Sequence, residues 1–232
     1  MRRYCLLLLM LFGFTLCRGV EPWSGIGVAF FRCHHPITTE KSIDLDIFDS
    51  TLTTLIMTIN SRNYYTIKGL ELIEFADDVK GFCIVSIQEN SIKVILNNSV
   101  SPVQYGWLKK DNKDIDYYLW SSLIPYQKSV FPINNNDGIA QITFYKMPNG
   151  DTLDLHIPLM KERWYDYKNQ IIRVFDCDII PTRRLSQKTW MQVDISYPHD
   201  EGEDFFECFR IRCWIRFLDE YGHPLVWYNT RD

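Results

Sequence analysis

The segments MQVDISY (191–197) and FRIRCWIRF (209–217) decide the fold class, because each places an apolar residue at every second position. Side chains of a β-strand alternate between the two faces of a sheet, so each segment predicts a strand with one buried face. The polar segment PHDEGED (198–204) lies between them. We therefore expect an antiparallel strand pair joined by an acidic loop.

The same two-residue period recurs upstream. IDLDI (43–47) alternates cleanly and predicts a half-buried strand with an acidic solvent face. The apolar segments 82–87 and 92–96 flank QENS (88–91), which favours a turn between two paired strands.

Several breaks in the apolar pattern predict where strands turn or end. PNGD (148–151) lies between two apolar segments, and its Asn-Gly pair predicts a type I′ hairpin turn. We expect one or two strands over 64–75, and a strand over 171–180 that Pro181 ends. Many short strands without an amphipathic helix predict an all-β chain, an antiparallel β-sandwich of the immunoglobulin-like or jelly-roll-like type.

Residues 1–19 have the pattern of a secretory signal peptide. Arg2 and Arg3 precede the apolar run 5–16, and the segment 17–19 provides the approach to a cleavage site. The apolar run is shorter than the ~20 residues that cross a bilayer. We expect the mature chain to be secreted and extracellular, or in the periplasm and at the cell surface if the host is bacterial, with no membrane span.

Residues 20–232 are long enough for one large all-β domain or for two smaller ones. The segment 109–138 is charged at its start and rich in turn residues at its end, which is typical of a long connection. If the β-sandwich region consists of two sub-domains, we expect the boundary within 101–138.

The cysteines of an exported chain are candidates for disulfide bonds. Five follow residue 19: Cys33, Cys83, Cys177, Cys208 and Cys213. We expect Cys33 to pair with Cys83, and Cys177 to pair with Cys208 or Cys213, which leaves one thiol over. Neighbouring residues of a strand point to opposite faces, so Cys33 and the two histidines after it do not predict a metal site.

The charge balance bears on the class of partner. The chain has a net charge of −4, and loss of residues 1–19 leaves 22 basic and 29 acidic residues, a net charge of −7. Nucleic-acid binding depends on basic clusters, so we do not expect it. Asn97 begins an Asn-Asn-Ser sequence and is a candidate glycosylation site in a eukaryotic host or a virus of one.

The loop at 200–204 concentrates negative charge. Its four carboxylates predict docking to a basic partner, with an association rate that salt lowers. The alternative is an ordinary solvated hairpin loop. The candidate residues are Asp200, Glu201, Glu203 and Asp204.

The strand that follows carries a basic stripe formed by Arg210, Arg212 and Arg216, with Trp214 among them. Guanidinium groups bind carboxylates and sulfates in bidentate fashion, so the stripe predicts contact with acidic groups of a protein or glycan. The alternative is pairing with acids of the neighbouring strand, such as Asp194.

Trp164 and Tyr165 lie in RWYDY (163–167), where aromatic residues accompany charge. Exposed, such residues form a contact surface for a protein or glycan; buried, they fill the core. The sequence contains no recognised catalytic motif and no dinucleotide or phosphate loop, so we expect neither an enzyme nor a cofactor.

These features together predict a secreted, non-enzymatic binding protein that engages an extracellular protein, for example a basic cytokine or chemokine, or a glycan. In overall architecture the chain resembles the chemokine-binding β-sandwiches that viruses secrete, which are acidic, exported and cysteine-linked. That resemblance implies a decoy or immune-modulating role. The alternatives are a structural or adhesive subunit of a bacterial surface fibre, built by strand addition, and a secreted hydrolase.

Overall fold

The computed structural model describes residues 24–32, 42–76, 79–133, 142–153, 164–167, 170–173, 178–197, 209–228 and 230. Residues 1–19 and the acidic loop at 200–204 lie outside the described residues. The described chain consists mostly of antiparallel β-sheet with one short helix, which confirms the all-β prediction.

The strands, numbered in chain order, are β1 Gly27–Phe31, β2 Asp44–Phe48, β3 Leu55–Asn60, β4 Ile73–Ala76, β5 Val79–Ile87, β6 Ser91–Asn97, β7 Gln104–Lys109, β8 Ile115–Leu119, β9 Phe131–Pro132, β10 Phe144–Tyr145, β11 Trp164–Tyr167, β12 Gln170–Arg173, β13 Asp178–Ser186, β14 Trp190–Tyr197, β15 Phe209–Arg216 and β16 Val226–Trp227. The helix α1 spans Trp120–Leu123. Short 3-10 turns occupy Tyr64–Thr66 and Ile124–Tyr126.

The larger sheet has the strand order β3-β2-β7-β6-β5-β1-β8, and β4 also pairs with β5. The predicted alternation of 43–47 is confirmed in β2, where Leu45 and Ile47 are buried while Asp44 and Asp46 are exposed. The predicted pair over 82–96 is confirmed as well, because β5 and β6 are neighbours in the sheet.

One face of the larger sheet forms its own apolar core. The cluster on this face contains a buried residue from each of the seven strands on the path, from Ile59 of β3 to Ile115 of β8. Packing is tight between the neighbouring strands β7 and β2: a Cβ atom added to Gly106 would overlap Cγ2 of Ile47. A side chain at position 106 would therefore displace this core.

The smaller sheet has the strand order β10-β15-β14-β13. The predicted C-terminal pair is confirmed, with β14 and β15 antiparallel from the pair Trp190–Arg216 to the pair Tyr197–Phe209. The inner face of this sheet contributes Met191, Val193 and Ile215 to a second apolar core.

Residues of both sheets meet in this second core. Val28 and Cys83 of the larger sheet belong to the same cluster as Val193 and Cys213 of the smaller one. Trp120 of α1 and Trp227 of β16 lie in it too, with ring centroids 4.9 Å apart in an edge-on arrangement. The two sheets are thus stabilised by one shared hydrophobic contact region.

The predicted type I′ turn at Asn149-Gly150 is wrong. The turn is centred one residue earlier, on Pro148 and Asn149, and is closed by a hydrogen bond from Gly150 N to Met147 O at 3.0 Å. Asn149 has φ 57°. Proline fixes φ near −65° and suits the first central position of a turn whose second central residue has positive φ, so Pro148 determines the turn.

Two strand predictions also need correction. Pro181 does not end a strand, because β13 continues through it to Ser186. This strand lies at the edge of its sheet and has an irregular register between Pro181 and Leu185, a setting in which proline is tolerated. The segment 64–75 is a 3-10 turn followed by the start of β4 rather than one or two strands.

No helix in the described part of the chain is both long enough and apolar enough to cross a lipid bilayer.

Candidate functional site

The outward face of the smaller sheet carries the basic stripe. Because Met191, Val193 and Ile195 point into the shared core, the residues between them point away from it. Register places Gln192 of β14 opposite Trp214 of β15, and Asp194 opposite Arg212.

Arg212 and Asp194 form a bidentate ion pair across the two strands. Arg212 Nε donates to Asp194 Oδ1 at 2.7 Å, and Nη2 donates to Oδ2 at 3.0 Å. These bonds raise the pKa of Arg212, so the group stays charged. The cross-strand pairing that the sequence offered as an alternative is therefore confirmed. The Arg212 side chain is nevertheless 65% exposed, whereas that of Asp194 is 14% exposed.

Aromatic rings form the floor of this face. Trp190 and Trp214 are 5% and 8% exposed, although neither points into the core between the sheets. Tyr145 of β10 pairs with Trp214 in register and contacts the ring of Trp190 edge-on, at a centroid distance of 4.9 Å. The guanidinium carbon of Arg184 lies 5.9 Å from the centroid of the Trp214 ring, within cation–π range.

The irregular register of β13 positions two consecutive arginines. Arg183 has φ 65°, a left-handed conformation that is uncommon for residues other than glycine. Its guanidinium carbon lies 5.6 Å from the centroid of the Tyr126 ring, while Arg184 lies over Trp214. A bulge redirects side chains, and here it places neighbouring arginines over two different aromatic rings.

Arg183, Arg184, Arg212 and Arg216 together are called the arginine face below. Arg216 Nη2 donates to Glu220 Oε2 at 3.0 Å, in an ion pair whose two side chains are 40% and 63% exposed. Among the described residues, Asp194 and Glu220 offset two of these four guanidinium groups, while Arg183 and Arg184 lie over aromatic rings. Such a face attracts carboxylate, sulfate or phosphate groups.

The other predicted binding residues are described in part or not at all. Trp164 and Tyr165 lie on β11, which pairs with β12, but their side chains lie outside the described residues, as does that of Arg210. The acidic loop lies outside them as well, yet its two ends are fixed: Tyr197 and Phe209 face each other where β14 ends and β15 begins.

The cysteine predictions stay predictions. Cys83 is buried, and no disulfide occurs among the described residues. Its predicted partner Cys33 lies outside that part of the chain, as do Cys177 and Cys208. Cys213 is buried in the core shared by the two sheets.

The sequon lies at the end of β6. Asn97 is 9% exposed, and its Oδ1 accepts a hydrogen bond from Ser99 N at 2.8 Å. Ser99 Oγ also contacts Glu71 Oε1. A glycan at Asn97 remains a prediction.

No group of three or more His, Cys, Asp or Glu side chains that could hold a metal ion occurs within the described ranges. The segment Cys33-His34-His35 lies outside them.

Sequence reasoning missed Arg184, Tyr145 and Trp190 as members of this surface. The prediction that Pro181 ends its strand separated Arg183 and Arg184 from the sheet that they join. Tyr145 joins the aromatic rings of this face because β10 pairs with β15, and no local sequence pattern predicts that pairing. The available signal was the basic residues Arg183, Arg184 and Lys188 shortly before Trp190.

Comparison with known proteins gives no match to this chain, either among protein-family models, among curated proteins or among solved structures.

Proposed function

We propose that this chain is an exported, non-enzymatic binding protein that engages an extracellular protein partner through the arginine face and the acidic loop beside it. The observation that carries the proposal is the bidentate Arg212–Asp194 pair, which holds an exposed guanidinium in one orientation on the outward face of the smaller sheet. A preorganised arginine loses less conformational entropy on binding than a free one.

Composition supports a protein interface at this position. Arg, Trp and Tyr are the residue types that dominate binding hot spots. Here Arg184 covers Trp214, and Tyr145 contacts Trp190, so charged groups lie on an aromatic floor. Such a floor lowers the local dielectric and strengthens a bond from Arg184 or Arg212 to a partner carboxylate.

The acidic loop has charge of the opposite sign to the arginine face. Arg212 and Arg216 lie on β15, and the loop connects the paired ends of β14 and β15 at Tyr197 and Phe209. A protein that presents basic groups to the loop and acidic groups to Arg212 would complement both. Two patches of opposite charge favour one orientation of the approaching partner, and they also favour partners with the complementary charge pattern.

The proposal includes an architecture and a compartment. The core shared by the two sheets supports an antiparallel β-sandwich of immunoglobulin-like or jelly-roll-like type. The signal-peptide pattern of residues 1–19 supports export to the extracellular space, or to the periplasm or cell surface of a bacterium. Export would allow the disulfides and the glycan at Asn97 that the sequence predicts.

Affinity measurement with matched variants tests this function. The purified protein is immobilised, partners are captured from extracellular fluid, and a captured partner is then purified and titrated. Arg212→Ala should weaken binding roughly tenfold or more, the size expected of a central arginine. Replacing the four loop carboxylates by Asn and Gln should slow association, most strongly at low salt.

Arg32→Ala is the matched control. Arg32 forms the same kind of pair on the larger sheet, with Nε donating to Asp116 Oδ1 at 3.0 Å and Nη2 to the same oxygen at 2.5 Å. Equal losses of affinity in Arg32→Ala and Arg212→Ala would show a general effect on folding. Unchanged affinity in both Arg212→Ala and the loop variant would refute the proposed surface.

A further inference from the structure

The sequence contains one Asn-Gly pair, Asn149-Gly150, and it lies in the turn that follows β10. Tyr145 before the turn pairs with Thr152 after it. The Asn149 side chain is exposed to solvent. Because glycine has no side chain, nothing hinders its backbone nitrogen from approaching the amide group of a preceding asparagine. The turn therefore presents a chemically reactive asparagine to solvent.

The reaction open to such a pair is intramolecular deamidation. The backbone nitrogen of Gly150 forms a bond to Cγ of Asn149, the bond from Cγ to Nδ2 breaks, and the proton of the glycine amide leaves with the ammonia. The product is a five-membered succinimide ring. Water then adds to one of the two carbonyl carbons and opens the ring, which gives aspartate or isoaspartate at position 149. Water is the only co-reactant, and nothing is oxidised or reduced.

Two hydrogen bonds oppose this reaction in the folded protein. Gly150 N donates to Met147 O at 3.0 Å, so the attacking nitrogen is engaged within the turn. Asn149 Nδ2 donates to Gln187 Oε1 at 2.8 Å, which ties the leaving amide group to a second hairpin. Both bonds have to break before the nitrogen can reach Cγ. The rate of deamidation therefore depends on how often the turn opens.

The second hairpin meets Asn149 at its own tip. Gln187 and Lys188 lie between β13 and β14, with φ 51° and 61°, and Asn149 has φ 57°. Positive φ is uncommon for residues other than glycine. The side chains of Asn149 and Gln187 are both exposed, and exposed hairpin tips open at a much lower free-energy cost than the whole fold. The bond between the two tips therefore restrains a turn that would otherwise open readily.

We propose that Asn149 is a site of deamidation by water, and that its bond to Gln187 limits the rate in the folded protein. Conversion replaces a neutral amide by a carboxylate. Isoaspartate also adds one carbon atom to the backbone between Lys146 and Asp151, where Lys146 N donates to Asp151 O at 3.0 Å. The reaction needs no partner, so the proposal is independent of the proposed binding function.

Incubation of the purified protein at mildly alkaline pH, followed by peptide mapping with mass spectrometry and an isoaspartate assay, tests the proposal. We expect conversion at Asn149 well before conversion at Asn90, an exposed asparagine that precedes a serine. Asn149→Gln should abolish conversion at this position, because glutamine cannot form the five-membered ring. Gln187→Ala should raise the rate about threefold, the size expected from the loss of one exposed hydrogen bond.

Lys188→Ala is the matched control, since Lys188 is exposed, follows Gln187 in the same turn and also has positive φ. An effect of alanine on the turn backbone would appear in both variants, whereas the bond to Asn149 belongs to Gln187. Lys188→Ala should react at the parent rate. Equal rates in the two variants would overturn the role of Gln187. An intact Asn149 in the folded proteins, under conditions that convert it in the urea-unfolded chain, would overturn the site itself.

Discussion

Tyr228 donates a hydrogen bond from its buried Oη to the backbone carbonyl oxygen of Phe75, over 2.6 Å. Phe75 belongs to β4 of the larger sheet, and Tyr228 directly follows β16, 153 positions later. Both residues lie in the core shared by the two sheets. This bond therefore joins the last described strand to the first half of the chain.

Tyr228→Phe tests that link. Loss of the hydroxyl leaves the carbonyl of Phe75 without this donor in an apolar core, which should lower the free energy of unfolding by about 1–3 kcal/mol. Urea denaturation followed by fluorescence gives the value. Tyr126→Phe is the control because Tyr126 is 61% exposed. Equal stability of both variants and the parent would show that the buried bond contributes nothing.

Cys83 provides a chemical test of the core. Burial raises the pKa of its thiol to about 12, above the ordinary value near 9. The reactive thiolate is thus scarce at pH 8, and alkylation of Cys83 in the folded protein should be slow, as peptide mapping by mass spectrometry can measure. Rapid labelling of the folded protein would contradict this burial.

The same measurement tests the predicted disulfide. If Cys83 is a thiol, unfolding alone will expose it to alkylation; if it is paired with Cys33, labelling will require a reductant as well.

If Cys83 is a thiol, its raised pKa also makes the free energy of unfolding depend on pH. The folded state holds the proton more tightly, so its contribution to stability is complete below pH 9 and declines as the pH rises towards 12.

Asp49 shapes the turn between β2 and β3. Its Oδ1 accepts hydrogen bonds from the hydroxyl of Thr51 at 2.7 Å and from the amide nitrogens of Thr51 and Thr54 at 3.1 and 3.3 Å. These bonds, the Thr51 hydroxyl first, lower the pKa of Asp49 to about 2. The carboxylate therefore stabilises the fold above pH 4, and that contribution is lost as the pH falls towards 2.

Titration of the Asp49 carboxyl by NMR should find this low pKa, and Thr51→Val should raise it towards the ordinary value. Thr66→Val is a suitable control, because the Thr66 hydroxyl bonds to Asn63 O instead. An Asp49 pKa that Thr51→Val leaves unmoved would mean that the hydroxyl does not hold the carboxylate.

The alternation of apolar and polar residues was sufficient to predict a strand and its buried face where one face is buried and the other is exposed to solvent. The alternation at 43–47 predicted which side of β2 faces the core, and the alternation at 191–197 did the same for β14. It failed where a neighbour in space decides the outcome. Pro181 remains within β13 because that strand lies at a sheet edge, and sequence does not announce which strand is an edge.

The surfaces show the same division. The pairing of Arg212 with Asp194 could be anticipated from two alternating strands joined by one loop. The row from Leu55 through Phe48 to Trp107 could not, because it depends on the register of β2 between β3 and β7. Register between strands distant in sequence is a property of the whole sheet, so this row became visible only in the folded chain.

Arg212→Lys separates geometry from charge at the proposed binding face. Lysine keeps the positive charge but cannot make the bidentate bond to Asp194, so its head group is no longer held in place. We expect partner affinity to fall between that of the parent and that of Arg212→Ala. Equal affinity of Arg212→Lys and the parent would show that charge alone is sufficient.

The most direct measurement is the affinity of the purified extracellular partner for the parent protein, Arg212→Ala and the control Arg32→Ala, by calorimetry at two salt concentrations. Binding through the arginine face predicts a loss of roughly tenfold or more in Arg212→Ala alone, with parent affinity in the control. Identical affinities for all three proteins would contradict the assignment of this sheet face as the binding surface.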